Sequence, residues 1–178
     1  DQGAIDLETQ IFCEEGAYRT VGKHTLHDHT KHGWLPFREV IALSSNIGTA
    51  KAAQRLSPET LHRYIQAFGF GEETGIELTG EVRGIVHPPT QWSKLSPWII
   101  PIGQEVAATP LQLAVMMAAV ANGGWRVRPY LVERIQTPDG RIVRRHPDTP
   151  RIRILSPETA TRLQDALARV VESGTGRS

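Results

Sequence analysis

The chain has 178 residues, one cysteine and a formal net charge of +1, with 22% charged residues and 39% hydrophobic ones. That length suffices for one domain with its own core or for a large piece of one, and near-neutral charge gives no strong pull toward nucleic acid or anionic lipid. A lone Cys13 excludes an internal disulfide framework, and no window is long and apolar enough to span a bilayer.

Residues 1–33 are polar and rich in Gly, Thr and His, which predicts loop with one short extended piece. From Leu35 the pattern turns helical, with Leu35, Val40, Ile41 and Leu43 on one face and Pro36 in the first turn. Ser44-Ser45-Asn46 interrupts it, and a second helix is expected from about Ile47 to Leu56. Three further helix starts share one punctuation: Ser57-Pro58-Glu59, Thr109-Pro110-Leu111-Gln112 and Ser156-Pro157-Glu158. The hydroxyl accepts from an orphan amide at the N-cap, and proline at the first helical position has no N–H to leave unpaired. Gln112 completes a capping box with Thr109. Helices are therefore expected over Pro58–Phe68, Pro110–Asn122 and Pro157–Glu172, stopped at Gly69 and at Gly123-Gly124 where glycine takes a left-handed backbone cheaply.

The stretch Leu111–Val120 is apolar nearly all round and is expected to be the buried central helix. Strands are expected at Tyr130–Ile135 and Arg141–Arg145, joined through Pro138-Asp139-Gly140 as a hairpin that needs other structure to lie on. Asp1 at the start and the Gly-rich Glu172–Ser178 at the end suggest cuts within a longer polypeptide.

Four segments carry a resemblance: Glu39 to Lys51 (EVIALSSNIGTAK), Phe68 to Leu78 (FGFGEETGIEL), Gly103 to Gly124 (GQEVAATPLQLAVMMAAVANGG) and Val170 to Gly176 (VVESGTG). Their order and spacing over about residues 30–178 resemble the transpeptidase domain of a class B penicillin-binding protein. The resemblance implies that all of 1–178 is part of one α+β domain of the penicillin-binding-protein and serine β-lactamase type. This chain would hold mainly its helical subdomain and a β-hairpin.

That chemistry uses three motifs, Ser-x-x-Lys, a Ser-x-Asn turn and Lys-Thr-Gly. Only the second is present, as Ser44 and Asn46. Thr20-Val21-Gly22-Lys23 has the first motif's spacing with the wrong hydroxyl, and Ser173-Gly174-Thr175-Gly176 matches the loop before the third. The chain alone is therefore expected not to acylate.

By resemblance, Ser44 relays a proton between a lysine supplied elsewhere and the leaving amine. Asn46, with both a donor and an acceptor, binds a substrate amide and helps position that lysine. The implied substrate is a peptidoglycan stem peptide ending in D-Ala-D-Ala, which β-lactams imitate. No cofactor or metal is implied, and the implied partners are other cell-wall synthases. The parent would work at the extracytoplasmic face of the bacterial membrane, held by an N-terminal transmembrane helix outside this sequence. A rival reading is a non-catalytic sensor or scaffold that keeps the turn but not the nucleophile.

Other features have two readings each. Ser45 or Asn46 could cap the following helix. His24, His27, Asp28, His29 and His32 are zinc-type ligands or a solvated polar loop. Trp34, Trp92, Trp98 and Trp125 could stack on a ligand or pack loops onto the core, and the resemblance implies that Trp92 and Trp98 lie on the active-site side. Arg126, Arg128, Arg141, Arg144, Arg145, Arg151 and Arg153 form a solvated strand face or a partner contact.

Overall fold

A computed structural model describes residues 2–147 and 151–177. Helices and short strands follow in the order β1 (Gln10–Phe12), β2 (Ala17–Arg19), β3 (Thr25–His27), β4 (Trp34–Pro36), α1 (Phe37–Ala42), α2 (Asn46–Ala53), α3 (Pro58–Ala67), β5 (Ile85–Val86), α4 (Ser96–Ile99), β6 (Val106–Ala107), α5 (Pro110–Ala121), β7 (Trp125–Arg126), β8 (Arg134–Gln136), β9 (Ile142–Arg145), β10 (Ile152–Arg153) and α6 (Pro157–Glu172). The strands pair only in twos, always antiparallel: β1 with β4, β2 with β3, β5 with β6, β7 with β10 and β8 with β9. This is an α+β fold in which helices carry the core and paired strands brace them.

The helix starts follow their local chemistry. Ser57, Thr109 and Ser156 each accept a hydrogen bond from the third residue onward, and the Thr109–Gln112 capping box closes in both directions at 3.1 and 2.8 Å. Gln112 is buried, and its amide also donates to the carbonyls of Glu72 and Arg83 at 2.7 and 2.9 Å. One side chain thereby starts α5 and ties down the loop before β5.

Four sequence expectations need correcting. Residues 1–33 hold three strands and a 3₁₀ turn at Glu14–Gly16, because β1 finds its partner in β4 after a long excursion and β2 pairs with β3 within it. Leu35 belongs to β4, so α1 starts later, at Phe37. The α5 helix is not buried all round: Val115, Ala119 and Val120 face the core, while Leu113 and Met117 are close to half exposed. The hairpin forms, but its strands begin at Arg134, not Tyr130. Glu77 anchors it by accepting the amides of Leu131 and Val132, and these hydrogen bonds hold the Glu77 carboxyl below its usual range.

Three apolar clusters make the core. Ile11, Cys13, Val40 and Ala52 form one; Leu26, Ile47, Ala50 and Ile99 form the second; Ala119, Val120, Ile154 and Leu155 form the third. The first two lie on opposite sides of α2, which is built of small residues and lets α1 and the β2–β3 ladder approach closely. Trp98 packs beside Tyr18 against the second cluster, and Trp125 lies beneath the Arg153 guanidinium at 4.1 Å. Trp34 stays two-thirds exposed, 5.3 Å from the Phe12 ring.

Candidate active site

The Ser-x-Asn turn joins α1 to α2. The Leu43, Ser44 and Ser45 amides close the end of α1 by donating hydrogen bonds to the carbonyls of Glu39, Ile41 and Val40, with Ser44 at the apex. Ser44 takes φ +56°, a left-handed conformation that costs a non-glycine residue about 1 kcal/mol or more. Its side chain is exposed, and its hydroxyl makes no hydrogen bond among the described residues. A strained backbone that delivers a free hydroxyl to the surface fits a residue used for chemistry better than one used for packing.

The other two residues of the turn differ from Ser44 and from each other. Ser45 is buried and caps α2, accepting from the Gly48 amide at 2.9 Å. Its hydroxyl donates to Asp28 Oδ2 at 2.6 Å. Asn46 opens α2 and is partly exposed; its Nδ2 donates to the His27 carbonyl at 3.0 Å, and its Oδ1 has no partner among the described residues. Ser44 and Asn46 thus share one rigid turn with polar atoms to spare, and Ser45 is the structural member.

Two residues that the sequence reading does not assign to the site support this turn. Asp28, whose sequence reading is a zinc-type ligand or a solvated loop residue, also accepts the Ile47 amide at 2.9 Å. Lys51, one turn further along α2, donates to the Phe12 carbonyl and to Glu14 at 2.8 and 2.5 Å and lies 4.5 Å above the Tyr18 ring. Lys51 therefore locks α2 to the strands and is spent on that task. Beneath the turn, Cys13 is fully buried among Ile11, Val40 and Ala52, and that burial pushes its thiol above the ordinary range.

The chain's last described segment lies against the same turn. After α6, the Thr175 amide donates to the Ala42 carbonyl at 3.1 Å, two residues before Ser44. A Cβ at Gly174 would stand 2.1 Å from that oxygen, so only glycine permits the approach. Glu39 reinforces the join, pairing with Arg169 of α6 at 3.7 Å and with Arg38 at 4.0 Å. Arg38 also pairs with Glu8.

Of the remaining candidates among the described residues, only His27 and Asp28 touch this turn through hydrogen bonds. Thr20 and Lys23 lie in the exposed turn between β2 and β3, not on a helix. His24 meets Thr20 at 3.2 Å, Asp28 is committed to the Ser45 turn, and no group of three His, Cys, Asp or Glu suited to a metal occurs among the described residues. Trp92 donates its indole N–H to the His87 carbonyl at 2.8 Å and lines a groove of about 530 Å³ with Ser93, Ser96, Ile100 and Val106. Arg126 and Arg128 hold the carbonyls of Gln66 and Gly75, whereas Arg141, Arg144, Arg145 and Arg151 are exposed without an ion-pair partner among the described residues.

A domain of this architecture, with a Ser-x-Asn turn at the head of its second helix, has close counterparts. The family model for the penicillin-binding-protein transpeptidase domain matches residues 1–178. The chain belongs to that family, in its class B branch. It is 39% identical over 155 residues to penicillin-binding protein PbpB of Mycolicibacterium smegmatis, and 29% identical over 188 residues to peptidoglycan D,D-transpeptidase MrdA of Acinetobacter baumannii. Those alignments cover 85% and 98% of this chain but only 24% and 28% of the relatives, so the chain spans about a quarter of their length. The structure of penicillin-binding protein 3 from Mycobacterium tuberculosis complexed with aztreonam superposes with a TM-score of 0.84 at 36% identity, covering 94% of this chain and 38% of that one.

Proposed function

We propose that this chain is part of a peptidoglycan D,D-transpeptidase, in which Ser44 and Asn46 form one wall of the acyl-transfer site. The observation that carries the reading is the free, exposed hydroxyl of Ser44 on a strained backbone, beside the partly exposed carboxamide of Asn46. Support comes from the relative named as a D,D-transpeptidase and from the related structure that holds a β-lactam.

In this reading the acyl-enzyme forms on a serine outside residues 1–178, with a lysine three residues after it. Attack of that serine on the penultimate D-Ala carbonyl expels the terminal D-Ala amine. Ser44 passes the serine's proton toward that amine, and Asn46 holds the stem-peptide amide through its free Oδ1. A β-lactam carbonyl takes the same place, and its ring nitrogen is the leaving group. The substrate is exported, so the parent acts on the extracytoplasmic side of the membrane, anchored by an N-terminal helix and partnered by other cell-wall synthases.

Labelling the full-length protein with a fluorescent penicillin, followed by peptide mapping, tests this. A covalent label on a Ser-x-x-Lys serine is the expected result. Reversible binding without a covalent label would make the protein a sensor or scaffold instead.

A further inference from the structure

We propose that Asp28 is the positioning residue of the Ser-x-Asn turn, a role that rests on the reading of Ser44 and Asn46 as acyl-transfer residues. Three consecutive residues after Ser44 are each held by the His27-Asp28 pair. Asp28 Oδ2 accepts from the Ser45 hydroxyl at 2.6 Å, the His27 carbonyl accepts from Asn46 Nδ2 at 3.0 Å, and Asp28 Oδ1 accepts from the Ile47 amide at 2.9 Å. The grip is itself anchored, because the Asp28 amide donates to the Gly16 carbonyl at 3.1 Å.

The chemistry of the grip calls for a carboxylate. Two donors point at it, one a buried hydroxyl and one a helix amide, and a carboxylate accepts from both without needing a proton of its own. The 2.6 Å contact has the length of a charge-assisted O–H···O⁻ bond. Negative charge at the start of α2 also meets the positive end of the helix dipole. Ser45, fully committed to Asp28 and Gly48, has no freedom left, so the neighbouring Ser44 is carried on a fixed pivot. Without the carboxylate the pivot loses its acceptor, and the left-handed backbone at Ser44 can relax to an ordinary conformation. A shift of about 1 Å in a reacting group is enough to cost on the order of 10²-fold in rate.

The test uses the full-length protein and separates the acylation rate constant from the dissociation constant of the first penicillin complex. Asp28→Ala is expected to lower the rate constant by about 10²-fold with the dissociation constant nearly unchanged. Asp28→Asn keeps an acceptor for the Ile47 amide but not the charge, and is expected to lower the rate constant by a smaller but measurable factor, about 3- to 10-fold. Placed in a Ser44→Ala background, Asp28→Ala is expected to add little, because Ser44, the group carried on the Asp28 pivot, is already gone while Asn46 stays tied to the His27 carbonyl. Acylation by folded Asp28→Ala within about twofold of wild type, or effects of the two substitutions that multiply in full, would overturn the role. If Asp28→Ala does not fold, Asp28→Asn decides: a rate constant equal to wild type overturns it. Failure of the wild-type protein to acylate overturns both this role and the reading beneath it.

Discussion

Replacing Ser44 with alanine is expected to lower penicillin acylation of the full-length protein by about 10²-fold or more, the scale of a lost proton relay. The thermal midpoint should stay close to wild type. Those two outcomes belong together because the Ser44 hydroxyl has no hydrogen-bond partner among the described residues, so its removal breaks nothing in the fold. Ser45→Ala is the informative contrast. That hydroxyl is buried, caps α2 and donates to Asp28, so its loss should lower stability by about 1–3 kcal/mol as well as slowing acylation. An acylation rate in Ser44→Ala equal to wild type would remove the relay.

Gly48→Ala is expected to destabilise the domain by about 2 kcal/mol, and Gly48→Val by more, as read from urea denaturation of the full-length protein. The sign is the telling part. Helix propensity alone predicts a gain of about 1 kcal/mol from alanine over glycine inside a helix. The packing reverses it: a Cβ on Gly48 would lie 2.7 Å from both Val40 methyls and 3.1 Å from the Cys13 sulfur. Val40 and Cys13 are themselves fully buried and have no room to yield. The added methyl must therefore push α1 and α2 apart, and the turn joining them carries Ser44. A midpoint at or above wild type for Gly48→Ala would show that the two helices are not packed as described.

The parts of this fold that were legible in the sequence are those decided by neighbours along the chain. The N-caps at Ser57, Thr109 and Ser156 were readable because hydroxyl, proline and the receiving amide lie within four residues. The Pro138-Asp139-Gly140 turn was readable for the same reason; the Gly140 amide closes it on Thr137. The strands in the first 36 residues were not, since β1 is three residues long and its pairing with β4 is set by distant chain. The burial of α5 was misjudged because composition reports what a helix could bury, whereas Leu113 and Met117 show what this chain leaves uncovered.

The site divides along the same line. Ser44 and Asn46 stood out through their spacing and their surroundings, and the structure puts both on one turn with free polar atoms. The partners that hold the turn were hidden. Asp28 is 17 residues from Ser45 and 19 from Ile47, and its position among histidines suggested a ligand loop instead. Likewise, nothing local marks Gly174 as the residue that lets α6 and its following segment meet the end of α1. Long-range hydrogen bonds of this kind follow from the fold and precede none of it in sequence pattern.

The most direct measurement is a crystal structure of the full-length protein acylated by a penicillin. The Ser44 hydroxyl and the Asn46 carboxamide are predicted to lie within hydrogen-bonding reach of the bound acyl group, at about 3 Å. Finding the acyl group in a different groove, with both side chains turned away from it and walled off by other parts of the protein, would contradict the account.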